Sequence, residues 1–495
     1  MIKILRSATI LGVEAKEIRV EIDAANGLPG ECIVGLADKV IKESKNRIKS
    51  AIKNSEFKYP VKFFTINLSP AELPKEGPLF DLPIAAGILA TTKQINIKEN
   101  SLFIGELSLD GSVLPIRGIL PICIMAKKRG IRDIYLPKKN IKEAMLIPEL
   151  QLYPINHLKD LKSPLRSISY LNKHQTHKQI NYSKDFIEVK GQTLAKRAIE
   201  ISVSGWHHLL LKGPPGSGKT MLAERIPSIM PQLNTDEFIS CLSINSIFCK
   251  DKIENIHTTK RPFRSPHHSS SFTGMVGGGN KATPGEITLA HNGVLFLDEF
   301  PEFQRKVIEV LREPFEKKEI SLSRANYHVT FPANFLFIGA MNPCPCGYLN
   351  DEKKQCSCTA QSINNYQKKI SGPIYDRIDL KVDVPRVKPK DLLSSQSNSH
   401  YSSSEMNERI LKAHQIQLNR YQSNLKNAYL SSSQLDTFCT IPNTSKLFLA
   451  NEIDRGIITT RSKDKVIKIA RTIADLESEK EIQHSHILEA LFFIK

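Results

Sequence analysis

Between an apolar run, HHLLL at 207–211, and a segment carrying Leu222, Ile226 and Ile229 at helical spacing, residues Gly213–Thr220 read GPPGSGKT. This G-x-x-x-x-G-K-[ST] spacing demands a strand before it and a helix after it. Backbone N–H groups must close around phosphate oxygens without intervening Cβ atoms, at a helix start that favours anions. A chain built around such a turn is α/β, with apolar strands lying parallel and helices crossing between them. Gly213, Gly216 and Gly218 shape the cradle, Lys219 is placed to neutralise β- and γ-phosphates, and Thr220 to hold Mg2+. Further strands supply the partners of that cradle. Val294–Glu299 reads VLFLDE, a buried strand that would deliver Asp298 to Mg2+ and Glu299 to the attacking water. FLFIGA at 335–340 leads to Asn342, an amide beside the γ-phosphate from a neighbouring strand. Arg377, in SGPIYDRIDL, follows an expected helix end. There it either reaches the γ-phosphate of an adjacent subunit or pairs internally with Asp376 or Asp379.

The remainder of the chain divides around this core. At 495 residues, 40% hydrophobic and 24% charged, it is long enough for several domains and apolar enough to bury their cores. Residues 1–161 alternate strand-like runs (Ile18, Val20, Ile22) with helical ones (Val40, Ile41, Ile48, Ile52), which predicts an α/β domain. A polar stretch at 162–184 reads as a linker, 185–391 as the nucleotide-binding core, 392–404 (LLSSQSNSHYSSS) as a second linker, and 405–495 as an all-helical module opened by Ser402 and Glu405 at capping-box spacing. Lys and Arg number 69 against 51 Asp and Glu, a net +18 whose field attracts polyanions. The early apolar run Ala8–Val13 is too short for a signal segment, and no run of apolar residues is long enough to span a bilayer, which points to the cytoplasm and to no membrane partner. Nine cysteines in such a chain leave thiols or metal ligands rather than a disulfide scaffold. Cys344, Cys346, Cys356 and Cys358 could surround one Zn2+; reduced structural thiols, or a redox switch, are the other readings.

The motifs GPPGSGKT, RPFRSPHHSSSFTGMVGGGN, PGEITLAHNGVLFLDEFPEF, MNPCPCG and SGPIYDRIDL together resemble the magnesium-chelatase-like AAA+ ATPases, in particular the ComM (YifB) group, over nearly the whole chain. The resemblance implies a hexameric ring binding ATP and Mg2+ at its subunit interfaces. It places Gln192, in VKGQ at 189–192, near the adenine, and Arg461, in ITTRSKDK, as a second sensor in a helical lid. PKEGPLFDLPIAAGIL from Pro74 and GELSLDGSVLPIRGILPICIMAKKRGIRDIYLPKKN from Gly105 resemble the proteolytic domain of Lon. Lon needs a serine nucleophile in PKDGPSAG and a lysine base in PIGGLKEK. Leu79 and Leu120 hold those positions here, and neither can donate, accept or attack, so the front domain is expected to be inactive as a protease.

In related rings, a hairpin like EISLSR–YHVTFP, with Arg324, Ala325 and Asn326 at its turn, projects into the pore. Arg324 is therefore the expected phosphate contact. The insert Arg261–Lys281, with Arg264, His267, His268 and three consecutive glycines, reads either as a second pore loop, with Arg264 and Lys281 on DNA, or as a glycine-rich surface loop. Phosphate contacts bind with little sequence preference. By resemblance, the expected function is a hexameric ATP-driven DNA motor promoting branch migration or helicase activity on single-stranded or branched recombination intermediates, as in natural transformation, with recombination proteins as further partners. A chelatase motor subunit and an ATP-dependent protein-remodelling chaperone are the alternatives.

Overall fold

The computed structural model describes residues 2–35, 38–75, 77–169, 182–248, 259–279, 283–324, 327–351, 353–387, 401–456 and 458–494. It forms two compact units, Met1–Lys178 with Thr235–Thr258, and Gln179–Asn234 with Thr259–Lys495.

The first unit is built on β1 (Lys3–Leu11), β2 (Glu14–Ala25), β3 (Gly30–Val34), α1 (Lys39–Asn54), β4 (Phe63–Ser69), α2 (Asp81–Thr91), β5 (Leu102–Phe103), α3 (Ile119–Lys128), β6 (Asp133–Pro137), β7 (Gln151–Ile155) and β8 (Ile168–Ser169). The strands form one sheet in the order β8-β7-β6-β5-β1-β2-β4-β3. Ile18, Val20 and Ile22 turn the same face of β2 inward, as period-two alternation requires, and all three are fully buried. α2 is buried along its length and lies so close to β2 that a Cβ on Gly87 would stand 2.3 Å from Ile22 Cδ1. α1 begins at Asp38, whose carboxylate accepts from Ile41 N at 2.7 Å, and buries Ile41, Ile48 and Ile52.

Two features depart from the expected boundaries. β8 pairs antiparallel with β7 inside the stretch read as a linker from 162. The helix Thr235–Phe248, from the middle of the expected nucleotide core, belongs to the first unit, where Ser246 O accepts from Gly118 N at 2.9 Å. Its sequence, TDEFISCLSINSIF, has no break in composition to signal that the chain has returned to the first unit.

The second unit contains α4 (Thr193–Gly205), β9 (Leu209–Lys212), α5 (Lys219–Ala223), β10 (Phe263–Arg264), β11 (Val294–Leu297), β12 (Glu319–Arg324), β13 (Tyr327–Pro332), β14 (Leu336–Met341), β15 (Leu380–Asp383), α6 (Ser403–Tyr421), α7 (Thr460–Leu476) and α8 (His484–Ile494). Its sheet runs β10-β11-β14-β9-β15, parallel throughout. β11 and β14 are buried at every position, as strands covered on both faces must be. The carboxyl ends of all five strands therefore share one edge, where ligands bind in open parallel sheets.

The C-terminal region is helical, with Ser402 Oγ accepting from Glu405 N at 3.2 Å, the N-cap half of the expected capping box; the Glu405 carboxylate does not complete it, and its Oε2 has no hydrogen-bond partner. This region is not a separate compact body. Ile410, Val466, Ile473, Ile487 and Phe493 share one hydrophobic core with Leu209, Leu211, Phe296 and Ile338 of the sheet, and a buried polar cluster pins the helices together: Asp475 accepts from Arg471 Nε at 3.2 Å and Arg420 Nη1 at 3.0 Å.

Candidate nucleotide-binding site

The phosphate loop leaves β9 between two neighbours. Gly213 N donates to Met341 O at 3.1 Å, and a Cβ at 213 would stand 2.1 Å from Val384 O, so the first glycine is a packing requirement. Gly216 and Gly218 differ: an added Cβ meets nothing within 4 Å, but φ is +74° and +91°, the left-handed region where other residues are strained. Lys219 opens α5 and is buried. Its Nζ donates to Gly213 O (2.7 Å), Pro214 O (2.9 Å) and Asn342 Oδ1 (3.3 Å). Burial lowers its pKa to about 8. Ser217 Oγ is buried inside the loop with no hydrogen-bond partner. An open cradle of glycines, a buried ammonium and an unanswered hydroxyl together fit a polyphosphate.

The two expected Mg2+ ligands meet, with Thr220 Oγ1 donating to Asp298 Oδ2 at 2.6 Å. Hard oxygen ligands at such a pair suit Mg2+. Glu299 N donates to Asp298 Oδ1 at 2.9 Å, and Glu299 itself has φ +51°, a conformation that costs about 1–3 kcal/mol and persists where surroundings enforce it. Its carboxylate has a partner that sequence reasoning missed: His268 Nδ1 lies 3.0 Å from Glu299 Oε2. The topology explains this. β10 is the neighbour of β11, so the chain leaving β10 passes the end of the strand that carries Asp298 and Glu299. A two-residue strand has no readable periodicity, and RPFR before the histidines was the only trace of it.

Gln192 also sits at positive φ, +54°, and its amide donates to Ser217 O (3.0 Å) and Pro385 O (2.6 Å), tying the VKGQ turn to the phosphate loop and to the end of β15. Arg377 does not pair with Asp376 or Asp379. Its guanidinium engages Glu316, with Nε at 3.0 Å, and Pro373 O. Asp379 is already taken, half-buried with its carboxylate 3.8 Å from His207 Nδ1 and 3.5 Å from Lys465 Nζ; against the opposing effect of desolvation, the His207 contact and the Lys465 charge hold its carboxyl well below the usual range. Lys465 Nζ also donates to the carbonyls of Asp376 and Ile378. The helix carrying Arg461 in its first turn is thus fastened to the segment carrying Arg377. The side chain of Arg461 is outside the described residues.

The expected hairpin forms, β12 against β13 with Arg324 opposite Tyr327 and residues 325–326 between them; the Arg324 side chain and Lys281 lie outside the described residues. Arg264 is engaged by Glu286 through two hydrogen bonds of 2.6 Å, so its guanidinium fork is occupied rather than presented. The four cysteine Sγ atoms of 344–358 lie within 4.8 Å of one another. In the first unit, Leu79 is half-buried against the core and Leu120 fully buried in α3. Among the described residues, no helix is long and apolar enough to cross a membrane.

Residues 20–140 match the family described as subunit ChlI of Mg-chelatase, 185–392 match magnesium chelatase, subunit ChlI, and 400–493 match its C-terminal region. The chain is 39% identical to competence protein ComM of Haemophilus influenzae, covering 99% of this chain and 96% of that one. It is 38% identical to YifB of Escherichia coli, covering 99% and 97%. Lon protease of Brevibacillus choshinensis is 30% identical over 156 residues, 29% of this chain and 20% of that protein. With motif spacing, a parallel phosphate-loop sheet and near full-length likeness in agreement, the chain belongs to the ComM/YifB group of magnesium-chelatase-like AAA+ proteins.

Proposed function

We propose that this protein is a cytoplasmic ATPase that assembles as a hexameric ring and uses ATP hydrolysis to drive DNA through branch migration or unwinding of recombination intermediates. The observation that carries the ATPase is the meeting of Lys219, Thr220, Asp298 and Asn342 at one sheet edge. Bound Mg2+ would supply charge neutralisation on the phosphate oxygens, held by Thr220 and, through water, by Asp298. Lys219 exchanges the carbonyls of Gly213 and Pro214 for phosphate oxygens. Glu299 orients and polarises water, and Asn342 offers its amide to the terminal phosphate. His268 restrains Glu299 until its own loop is displaced. Arg377, released from Glu316, reaches the neighbouring subunit's nucleotide, and Arg461 senses it from the helical region. The four cysteines hold a structural Zn2+.

DNA as the substrate is supported by the net charge of +18, by the β12–β13 hairpin that carries Arg324 at its tip, and by the likeness to a competence protein over nearly the whole chain. A chelatase motor subunit is the second reading, favoured by the three ChlI matches. It is the weaker one because the front region resembles Lon protease and the core carries the cysteine cluster at 344–358, neither of which a chelatase motor calls for.

Steady-state ATP turnover with and without single-stranded and branched DNA tests the proposal. Stimulation that falls between about 50 and 200 mM salt is expected, since phosphate contacts release counterions. Turnover indifferent to DNA at low salt would count against the DNA reading.

A further inference from the structure

The cysteine loop is separate from the nucleotide-binding residues in composition and chemistry, yet it is built onto them. The Sγ atoms of Cys344 and Cys346 are 3.4 Å apart, Cys344 and Cys356 3.7 Å, and Cys346 and Cys356 3.5 Å. These separations are far beyond a disulfide bond of about 2.05 Å. They approach the ~3.8 Å edge of a tetrahedron whose corners lie ~2.3 Å from a central Zn2+. Backbone N–H groups point at the sulfurs: Leu349 to Cys344 at 3.3 Å, Cys346 to Cys358 and Cys358 to Cys356 at 3.4 Å each. Such donors stabilise thiolates and orient metal ligands. Besides the sulfurs, only local turn hydrogen bonds such as Gly347 N to Cys344 O and Asp351 N to Tyr348 O, and Lys354 over the Tyr348 ring, join the loop's described residues to one another. Between Pro345 and Ala360 no described apolar side chain is buried, so the segment has no hydrophobic core to offset the entropy of ordering it, and a bound metal is the staple such segments use. Four sulfur ligands in this arrangement select Zn2+ or iron; d10 Zn2+ suits a structural role without redox chemistry.

What the loop touches gives the site its consequence. Cys344 lies two residues beyond Asn342. Gly347, at φ +86°, makes the turn, and an added Cβ there would stand 2.6 Å from Pro215 Cδ and 3.7 Å from Asn342 Cγ. The turn of the cysteine loop thus rests on a proline of the phosphate loop. Behind it, Pro343 O accepts from Gln367 Nε2 at 3.3 Å. Arg386 Nε donates to the buried Asp351 carboxylate at 2.6 Å, one residue beyond Pro385, whose carbonyl holds Gln192.

We propose that Cys344, Cys346, Cys356 and Cys358 bind one Zn2+, and that this metal acts as a clamp on the nucleotide site: by closing the loop it presses the Gly347 turn against Pro215 and fixes Asn342. Metal occupancy therefore controls ATP binding and turnover from outside the phosphate cradle. The clamp rests on the reading of this site as an ATP site, and the experiment separates the two.

Zinc and iron per chain are measured by elemental analysis of the purified protein, together with affinity for a fluorescent ATP analogue and steady-state turnover. The expected results are one zinc per chain and, for the double variant Cys356→Ser/Cys358→Ser, loss of the metal with turnover down at least about tenfold, the scale of a small misplacement at a reacting centre. A variant that fails to fold is bypassed by the wild type itself: zinc is released with a mercurial and a chelator, activity is read, then thiols and Zn2+ are returned and activity should return with them. Gly347→Ala supplies the other arm, retaining one zinc while losing ATP affinity, because the new Cβ collides with Pro215 rather than with the sulfurs. No metal, or iron in place of zinc, overturns the site. Wild-type protein that binds ATP equally well with and without its zinc overturns the clamp and leaves the ATP reading standing. Zinc-loaded wild type that does not bind ATP sinks the ATP reading, and the clamp with it.

Discussion

Replacing Lys219 with methionine keeps most of the buried stem and removes the charge. In the protein Nζ is hydrogen-bonded to Gly213 O at 2.7 Å and Pro214 O at 2.9 Å, so the ammonium already stands at the mouth of the cradle. One phosphate charge about 4 Å away is worth roughly 4 kcal/mol at an effective dielectric constant near 20. Exchanging two carbonyl hydrogen bonds for phosphate contacts returns about 1–2 kcal/mol. The net, about 2–3 kcal/mol, corresponds to ATP affinity weakened roughly 30- to 150-fold. Titration calorimetry measures it, with thermal unfolding as the control that the fold survives. The same titration carries a proton signature. Burial holds Lys219 at about 8, whereas phosphate oxygens favour the charged ammonium, so binding should take up a proton near and above that pH. Affinity of the wild type should then fall as pH rises past about 8, while Lys219→Met stays level over the same range. Wild-type affinity in the methionine variant, or identical pH profiles for the two proteins, would refute the assignment.

Arg377→Ala should bind ATP and hydrolyse it poorly, and mixing it with Lys219→Ala subunits should restore part of the turnover, because mixed rings contain interfaces with both residues intact; no complementation despite confirmed co-assembly would place Arg377 on its own subunit's nucleotide. His268→Ala should raise DNA-independent turnover and shrink the stimulation by DNA, since the 3.0 Å contact with Glu299 is lost; unchanged basal kinetics would count against the restraint. In the first unit, burial raises the Glu143 carboxyl from 4.5 to about 7, and its Oε1 has no hydrogen-bond partner. A carboxyl whose folded pKa is raised contributes stability at low pH that is lost as pH climbs through the folded value, so Glu143→Gln should stabilise above about 7, by up to roughly 3 kcal/mol at ~1.4 kcal/mol per unit, and not at acid pH. Thermal unfolding of both proteins across that range decides it.

The fold is legible in the sequence where local chemistry and architecture agree. GPPGSGKT forces a strand, a turn and a helix, and VLFLDE and FLFIGA are apolar runs because strands covered on both faces have no polar side to show. The β12–β13 hairpin was visible as two alternating segments about a short turn. The illegible parts depend on long-range pairing. Glu316 lies 61 residues from Arg377, and the nearer Asp376 and Asp379 were plausible partners until Lys465 and His207 claimed Asp379. His268 reaches Glu299 only because a two-residue strand is the next neighbour in the sheet. The helix Thr235–Phe248 returns to the first unit without any change in composition, and Ile168–Ser169 completes a sheet edge from within a polar stretch.

The most direct test of the central claim is strand exchange on a synthetic three-stranded junction with long homologous arms, one strand labelled, incubated with the purified protein, Mg2+ and ATP. The branch point should move, and go on moving only while ATP is hydrolysed. Glu299→Gln, which retains Lys219 and Thr220, should bind ATP and the junction and leave the branch where it started. ATP hydrolysis at full rate with the junction unmoved would contradict it.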